Sequence, residues 1–298
     1  MGEADWQAQA FEEHRARLRA VAYRMLGSVS EADDAVQDAW LRFSRADTGD
    51  VQNLGGWLTT VVARVCLNML RARRSRREQA LDADPRLPEP IISNESGLDP
   101  EAEALLGDAV GLAMLVVLEQ LAPTERVAFV LHDVFGVPFD EIAPIVGRST
   151  PAARQLASRA RRRVQGSAAP VPDADLSRQH AVVAAFQAAA RDGDFEALLA
   201  VLDPDVVIRA DRGVLAPRAP RVVRGAEAVA RRAMSFRHLA QYGRPALVNG
   251  AAGVVVVREQ GVFAVLGFTV RNDRIVEIDI LADPDRLANL DISMLGVT

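Results

Sequence analysis

Residues Asp140 to Arg163, DEIAPIVGRSTPAARQLASRARRR, constrain this chain more than any other stretch. Asp140, Glu141, Ile142, Ala143, Ile145 and Val146 form a short amphipathic helix pattern. Gly147-Arg148-Ser149 then reads as a three-residue turn, because glycine takes the left-handed conformation that closes a helix. Ser149 can cap a second helix, and Pro151 suits its first turn, where a missing N–H costs nothing. That second helix carries Arg154, Arg159, Arg161, Arg162 and Arg163, and no acid stands between Ile142 and Pro172. A short helix, a tight turn and a basic helix have the layout of a helix-turn-helix that enters the major groove.

The charge is segregated along the chain. All 35 Lys+Arg positions are arginine, and the net charge is −5. Yet Arg64 to Arg77 holds six arginines and no acid, and Arg148 to Arg163 holds six more and no acid. An acidic chain with two concentrated basic helices points to two nucleic-acid contacts and a different partner for its acidic surfaces. Arginine also suits bidentate contact with phosphate and guanine. The 298 residues suggest two or three domains, and 49% hydrophobic with 25% charged residues is the composition of an ordinary globular protein. The one cysteine, Cys66, lies in an apolar helical run and reads as a small buried hydrophobe. Four His and one Cys are scattered, so neither a metal site nor a cofactor is expected. No apolar run nears the roughly 20 residues of a membrane span, and the first residues lack a signal peptide's pattern, so a cytoplasmic location is expected.

The periodicity predicts helices through about Gln7 to Arg77. Phe11, Leu18, Val21, Ala22, Met25 and Leu26 recur at helical steps, Gly27 stops that helix, and Ser30 is read as the cap of the next. Gly56 leads into a third long helix. Residues 78–104 read as a linker containing Pro85, Pro88, Pro90 and Pro100. Helices resume near Glu101, with an apolar helix through Leu121, a turn at Ala122-Pro123-Thr124 and a further helix from Glu125 to Val134 ahead of the helix-turn-helix, and residues 105–166 are read as the second helical domain. Residues 167–175 form a second linker. From 176 to 298 the pattern is α+β: a helix over Leu176 to Ala190, then strand-like runs PALVNG, GVVVVRE, VFAVLGFTV and RIVEIDIL, read as a curved antiparallel sheet.

These residues resemble the extracytoplasmic-function (ECF) group of sigma-70-type sigma factors, the bacterial promoter-recognition subunits of RNA polymerase. Asp33 to Arg42 is similar to the polymerase-binding helix of sigma region 2. Trp57 to Arg74 is similar to the helix that melts and reads the −10 element. Asp140 to Arg163 is similar to the −35-reading helix-turn-helix of region 4. The tail resembles a SnoaL-like domain, a cone-shaped α+β fold shared with nuclear-transport-factor-2-like proteins. It does so through Gly193-Asp194-Phe195, Pro204-Asp205-Val206, Val223-Arg224-Gly225, Val248-Asn249-Gly250 and Asp283 to Leu287. A subgroup of these sigma factors has such a tail and a linker motif that stands here as Leu87, Pro88, Glu89 and Pro90. Arg86 stands where members usually carry tryptophan, and Asp211-Arg212-Gly213-Val214 where they tend to be glycine-rich.

The resemblance implies two all-α sigma domains and an α+β tail, with core RNA polymerase and promoter DNA as partners. The −35 element would be bound double-stranded and the −10 element single-stranded. Asp33, Asp34, Gln37, Asp38, Leu41 and Arg42 would dock polymerase; by themselves they also suit a solvated helix face whose acids satisfy the helix dipole. Arg64 and Asn68 would bond flipped bases, Arg71, Arg73 and Arg74 would pair phosphates, and Trp57 would pack either on the strand or in the core. Arg154, Gln155, Ser158 and Arg159 would face base edges and Arg161 the phosphates, while Ala153, Leu156, Ala157 and Ala160 pack inward or beside them. In the tail, Asp205, Asp211, His238, Tyr242 and Asp279 are the polar candidates. No spacing among them demands catalysis, so the tail reads as a regulatory domain with room for a small-molecule ligand rather than as an enzyme. The chain is expected to be a monomer off polymerase. The alternatives are a ligand-sensing helix-turn-helix regulator and a SnoaL-class enzyme with an accessory DNA-binding region.

Overall fold

The computed structural model describes residues 3–46, 51–79, 87–94, 112–166, 173–213, 222–290 and 292. They divide into two compact units. The first comprises residues 1–85, 103–107 and 117–168; the second comprises 86–102, 108–116 and 169–298.

The first unit is helical among its described residues. Helices α1 (Glu3–Leu26), α2 (Val29–Phe43) and α3 (Leu54–Gln79) pack as a bundle. Its core is built from the helical-step residues Phe11, Leu18, Val21, Met25 and Leu26, together with Val36, Phe43, Leu58, Val62 and Leu67, all buried. Each such side chain contributes roughly 1.5–3 kcal/mol on leaving water. Phe11 meets Trp40 edge-on at 5.1 Å, and Phe43 stacks near Phe11 at 6.2 Å. Gly27, at φ +69°, ends α1. Ser28, not Ser30, caps α2: it has extended backbone, and its Oγ accepts from the Glu31 amide at 3.3 Å. The helix therefore starts two residues earlier than the acid cluster suggests. Cys66 is buried, and burial pushes its thiol up to about 12, which fits a packing role.

After α4 (Leu112–Glu119), α5 spans Pro123–Phe129 and gives way to a π-helical turn at Val130–Val134. The continuous helix expected over Glu125 to Val134 is thus broken in pitch. The Phe135 amide reaches the Val130 carbonyl at 3.2 Å, five residues back, which is the π pattern. Helices α6 (Phe139–Val146) and α7 (Thr150–Gly166) form the helix-turn-helix. Gly147 adopts φ +66° and the Ala143 carbonyl accepts from its amide. The Ser149 carbonyl accepts from Ala153 at 2.9 Å, which places Ser149 at the start of α7.

A buried charge network ties these helices together. Arg126 on α5 is 1% exposed and donates to Glu119 on α4 at 2.7 Å. Arg73 on α3 donates to the same carboxylate at 3.3 Å, to the Leu26 carbonyl at 3.1 Å, and to Glu31 on α2. Burial and the neighbouring Arg73 make the charge on Arg126 costly, and Glu119 offsets them. Arg24, also buried, lies over the Phe135 ring at 5.0 Å.

The second unit is α+β. Helices α8 (Leu176–Asp192) and α9 (Phe195–Val201) precede β2 (Leu202–Asp211) and β3 (Val222–Arg224). Then come α10 (Ala226–Ser235), α11 (Arg237–Ala240), β4 (Gly243–Val248), β5 (Ala251–Arg258), β6 (Gly261–Arg271), β7 (Arg274–Leu281) and α12 (Pro284–Leu287). With β1 (Ile92–Ser93) they make one sheet of order β1-β4-β5-β6-β7-β2-β3. It is mixed rather than wholly antiparallel, because β2 and β7 run parallel. The long excursion between these two strands gives the chain room to return in the same direction.

One face of the sheet packs on α8, with Phe186 edge-on to Phe268 at 5.5 Å. The other face buries Ile92, Leu112, Val248, Val255, Val265, Leu281 and Leu287. The β4–β5 hairpin turns at Asn249 (φ 52°) and Gly250 (φ 76°), which only residues tolerant of the left-handed region can supply. On the tail sheet Arg209 faces Asp279 across the β2–β7 ladder at 3.4 Å and also pairs with Glu277. Burial pushes Asp279 up to about 6 from an ordinary 3.8, against the pull of Arg209.

Two outcomes follow for stability. Removing one partner of a buried pair leaves the other uncompensated, at about 3–5 kcal/mol. In urea unfolding, Arg126→Ala should fall near the low end, because Arg73 still bonds Glu119, and Glu119→Ala should cost more. A cost below about 1 kcal/mol for Glu119→Ala would sink this account. For Asp279 the folded pKa lies above the unfolded one, so between about pH 4 and 6 the native state binds more protons. Stability should therefore fall as pH rises through that window. Asp279→Asn should remove that part of the slope in a thermal melt series; an unchanged slope would contradict it.

Candidate nucleic-acid interface

Helix α3 shows two faces. Arg64, Asn68 and Arg71 are exposed along one stripe, with Arg74 exposed beside it. Steps of four and three residues keep the first three aligned on a helix. Val62, Ala63, Cys66, Leu67 and Leu70 are buried opposite and hold the helix in the bundle. Arg73 departs from the expected phosphate role: nine residues from Arg64 places it on the opposite side, inside the Glu31–Glu119 network. Trp57 is half-buried and lies 5.9 Å from the Phe43 ring, so its indole is part of the aromatic cluster.

Helix α2 presents Asp33, Asp34, Gln37, Leu41 and Arg42 to solvent, with Asp38 half-buried. Asp33 is held by Arg19 at 2.5 Å, and Arg42 donates to Asp38 at 2.9 Å. Leu41 is 44% exposed, an apolar side chain set among charges. Such a ridge can seat on a complementary surface with the charges fixing its register.

On α7, Ala153, Leu156, Ala157 and Ala160 are buried, and Arg154, Gln155, Ser158 and Arg159 point outward. Arg154 lies over the Phe139 ring at 5.5 Å, which pre-orients its guanidinium. Further along, the basic side chains have acidic partners at home. Glu125 accepts from Arg159 at 3.2 Å and from Arg163 at 2.7 Å, and Asp133 pairs with Arg161. The sequence alone does not point to either acid, since both precede their partners on α7 by 28 residues or more.

The linker motif belongs to the tail's unit. Leu87, Pro88 and Pro90 are buried and Glu89 half-buried. The Leu87 amide donates to Asp211 at 3.1 Å, and Arg286 donates to the same carboxylate at 2.6 Å. Ile91 exchanges two hydrogen bonds with Asn249, at 3.1 and 2.8 Å. Ile92 and Ser93 then pair with β4. Asp211, one of the polar candidates, thus serves as a clasp for the chain. The five tail candidates do not converge. Asp205 is exposed at the other end of β2, His238 and Tyr242 are exposed, and Asp279 is committed to Arg209. Among the described residues no cluster of His, Cys, Asp and Glu could hold a metal, and no helix is long and apolar enough to cross a membrane.

The arrangement of a bundle bearing an arginine stripe and a helix-turn-helix bearing a second has matches among known proteins. Residues 10–76 match the family model for sigma-70 region 2, and residues 112–164 that for sigma-70 region 4. The chain is 38% identical over 94% of its length to ECF RNA polymerase sigma factor SigJ of Mycobacterium tuberculosis, covering 93% of that protein. It is 36% identical over 99% of its length to the probable ECF sigma factor SigI of the same species, covering all of it. The crystal structure of M. tuberculosis SigJ superposes with a TM-score of 0.75 at 34% identity, over 96% of this chain and 99% of that one. Two helical sigma domains, an α+β SnoaL-like tail and this full-length similarity place the chain in the extracytoplasmic-function family of RNA polymerase sigma factors.

Proposed function

We propose that this sigma factor directs initiation with three named surfaces, and that the two solvent-facing arginine stripes on otherwise buried helices carry the reading. The α2 ridge of Asp33, Asp34, Gln37, Asp38, Leu41 and Arg42 docks core RNA polymerase. Arg64 and Asn68 bond bases of the separated −10 strand, and Arg71 and Arg74 hold its phosphates. Arg154, Gln155 and Ser158 read −35 base edges in the duplex, arginine favouring guanine and glutamine adenine. Arg159 and Arg161 exchange their carboxylate partners for DNA. The arginines are about half exposed, at 49% and 44%, whereas Glu125 and Asp133 are 8% and 17% exposed, so the exchange must offset the loss of a partner to a largely buried carboxylate; on Glu125 that loss is eased because Arg163 remains.

The tail, from about residue 176, acts as a non-catalytic regulatory domain of a cytoplasmic protein that is monomeric off polymerase. What supports this is the divergence of its five polar candidates and the build of the linker: Leu87 to Ser93 is bonded into the tail's sheet. A change in the tail therefore acts on the segment that joins the two sigma domains in sequence. The two sigma regions span about 7–77 and 105–166.

Transcription in vitro tests this, with the purified chain, core polymerase and a promoter library. Initiation should be confined to one two-element promoter class. Arg154→Ala should relax preference at one −35 position by roughly 1–3 kcal/mol. Arg64→Ala should cut open-complex formation while leaving −35 preference intact. A uniform loss over all promoter variants on Arg154→Ala would overturn its assignment to base reading.

A further inference from the structure

The tail carries a third concentration of arginine. Between Arg212 and Arg244 the sequence has eight arginines and one acid, Glu227. They do not form a run; the fold gathers them. The β-ladder aligns Val255, Val265, Leu281 and Asp211 in one row across the sheet. Beyond that row lie Arg212 at the end of β2, Arg258 and Phe263 at the β5–β6 turn, and beside it Arg244, opposite Val255 on β4. Helix α10 leaves the other end of β2, where the Gly225 amide donates to the Val206 carbonyl at 2.8 Å. Its 10 residues cover about 15 Å. That delivers Arg232 and Phe236 to Arg212: the two guanidiniums lie 5.2 and 5.6 Å from the same Phe236 ring. Arg237, His238 and Tyr242 follow, and the Tyr242 carbonyl accepts from Val257 at 3.1 Å, closing the circuit at β5.

The rim so formed alternates cations and rings. Arg237, Arg244 and Arg258 are exposed, as are Phe236, Tyr242 and Phe263 at 37–40%. Arg258 lies 5.7 Å over Phe263. Among the described residues none of Arg212, Arg232, Arg237, Arg244 and Arg258 has a carboxylate partner, and the buried Nη2 of Arg232 has no hydrogen-bond partner. Residues 214–221 contain no acid that could supply one. On the recognition helix Arg159, Arg161 and Arg163 have acids at hand, while Arg154 and Arg162, like the rim arginines, have none among the described residues. The acids around the rim are Glu259 in the β5–β6 turn, Asp283, whose carboxylate lies against Gly213, and Asp192 and Asp194, which flank the Gly193 that Arg237 lies beside. Gathering unpaired guanidiniums beside one another costs repulsion, and burial together with Arg232 lowers the proton affinity of Arg212.

We propose that this arginine–aromatic rim of the tail is a third nucleic-acid contact, which binds the phosphodiester backbone through Arg212, Arg237, Arg244 and Arg258. Guanidinium forks match phosphate oxygens, and aromatic faces between them accept unstacked bases. A rim about 20 Å across, from the strand spacing, faces about six phosphates of one strand at 3.4 Å each. A local polycation on a chain of net charge −5 suits a polyanion met edge-on rather than general adhesion. The proposal does not depend on how the two sigma helices read the promoter.

The test uses the full chain and two fluorescent probes without promoter sequence, a 20-base single strand and a 20-base-pair duplex. Anisotropy titrations over a salt series compare the wild type with Arg212→Gln/Arg237→Gln/Arg244→Gln/Arg258→Gln. The expected result is binding at least about 10-fold weaker at 0.1 M salt. The salt slope should shrink by about 0.9 for each duplex phosphate no longer neutralised, near 3.6 for four, or by about 0.7 for each single-strand phosphate, near 2.8. The probe with the larger change identifies which form the rim takes. Hydrogen exchange on the unmodified chain needs no variant: added DNA should protect residues 222–244 and 256–264. Unchanged affinity and slope, or protection confined to 54–79 and 139–166, would overturn the proposal. Transcription by the wild type, measured in parallel, reports separately on the sigma reading.

Discussion

A single carboxylate, Glu119, holds the first unit's helices in register. It takes a guanidinium from α5 and another from α3, and the α3 arginine also reaches the carbonyl that ends α1 and the first turn of α2. Four elements thus meet around one buried negative charge. Apolar contacts between them are interchangeable by a turn or a shift of register; a buried ion pair is not, because any slip strands a charge in a low-dielectric site. The network therefore specifies which helix faces remain outside. With Arg73 turned in, Arg64, Asn68 and Arg71 are turned out.

The same logic sorts the arginines of the whole chain. Having no lysine, the protein uses one side chain for burial, for surface pairing and for nucleic acid, and context decides among them. Arg126 and Arg73 are structural because they are themselves turned into the bundle, where Glu119 meets both. Arg159, Arg161 and Arg163 are themselves about half exposed but hold the largely buried carboxylates of Glu125 and Asp133, so they can reach a nucleic acid only by offsetting the loss of those pairs. Arg154 rests on a ring and keeps its donors free for bases. Arginine density marks where to look, and partner acids show which of the side chains are available.

That is also why some features can be read from the chain and others cannot. Gly147 and Ser149 announce the helix-turn-helix because the conformations they need are local to a few residues. The tail strands are announced by Asn249-Gly250 and by Asn272 and Asp273, which supply the positive φ of hairpin turns. The cap of α2 lies two residues from its expected place, since Ser28 and Ser30 offer the same hydroxyl and only the backbone conformation chooses. The parallel β2–β7 pair, the Arg73–Glu119 bond and the pairing of Ile92 with Val248 join residues far apart in sequence. Nothing in a window of twenty residues encodes such pairs. Arg73 escapes a sequence reading because a run of arginines hides the helical period within it.

The linker shows how a segment without local structure acquires a function from distant partners. Pro88 and Pro90 cannot donate backbone hydrogen bonds, which leaves Leu87 and Ile91 as the flanking donors, and both are met by tail side chains, Asp211 and Asn249. Proline fixes the path in advance, so little backbone entropy is lost on docking. Asp211 answers to Arg286 as well as to Leu87, and Arg212, the next residue, begins the arginine rim. One end of β2 therefore carries on successive residues a clasp for the linker and a cation of the rim. A polyanion held at Arg212 would be felt one peptide away at the carboxylate that secures the linker, the shortest route by which the tail could couple what it binds to the segment between the two sigma domains.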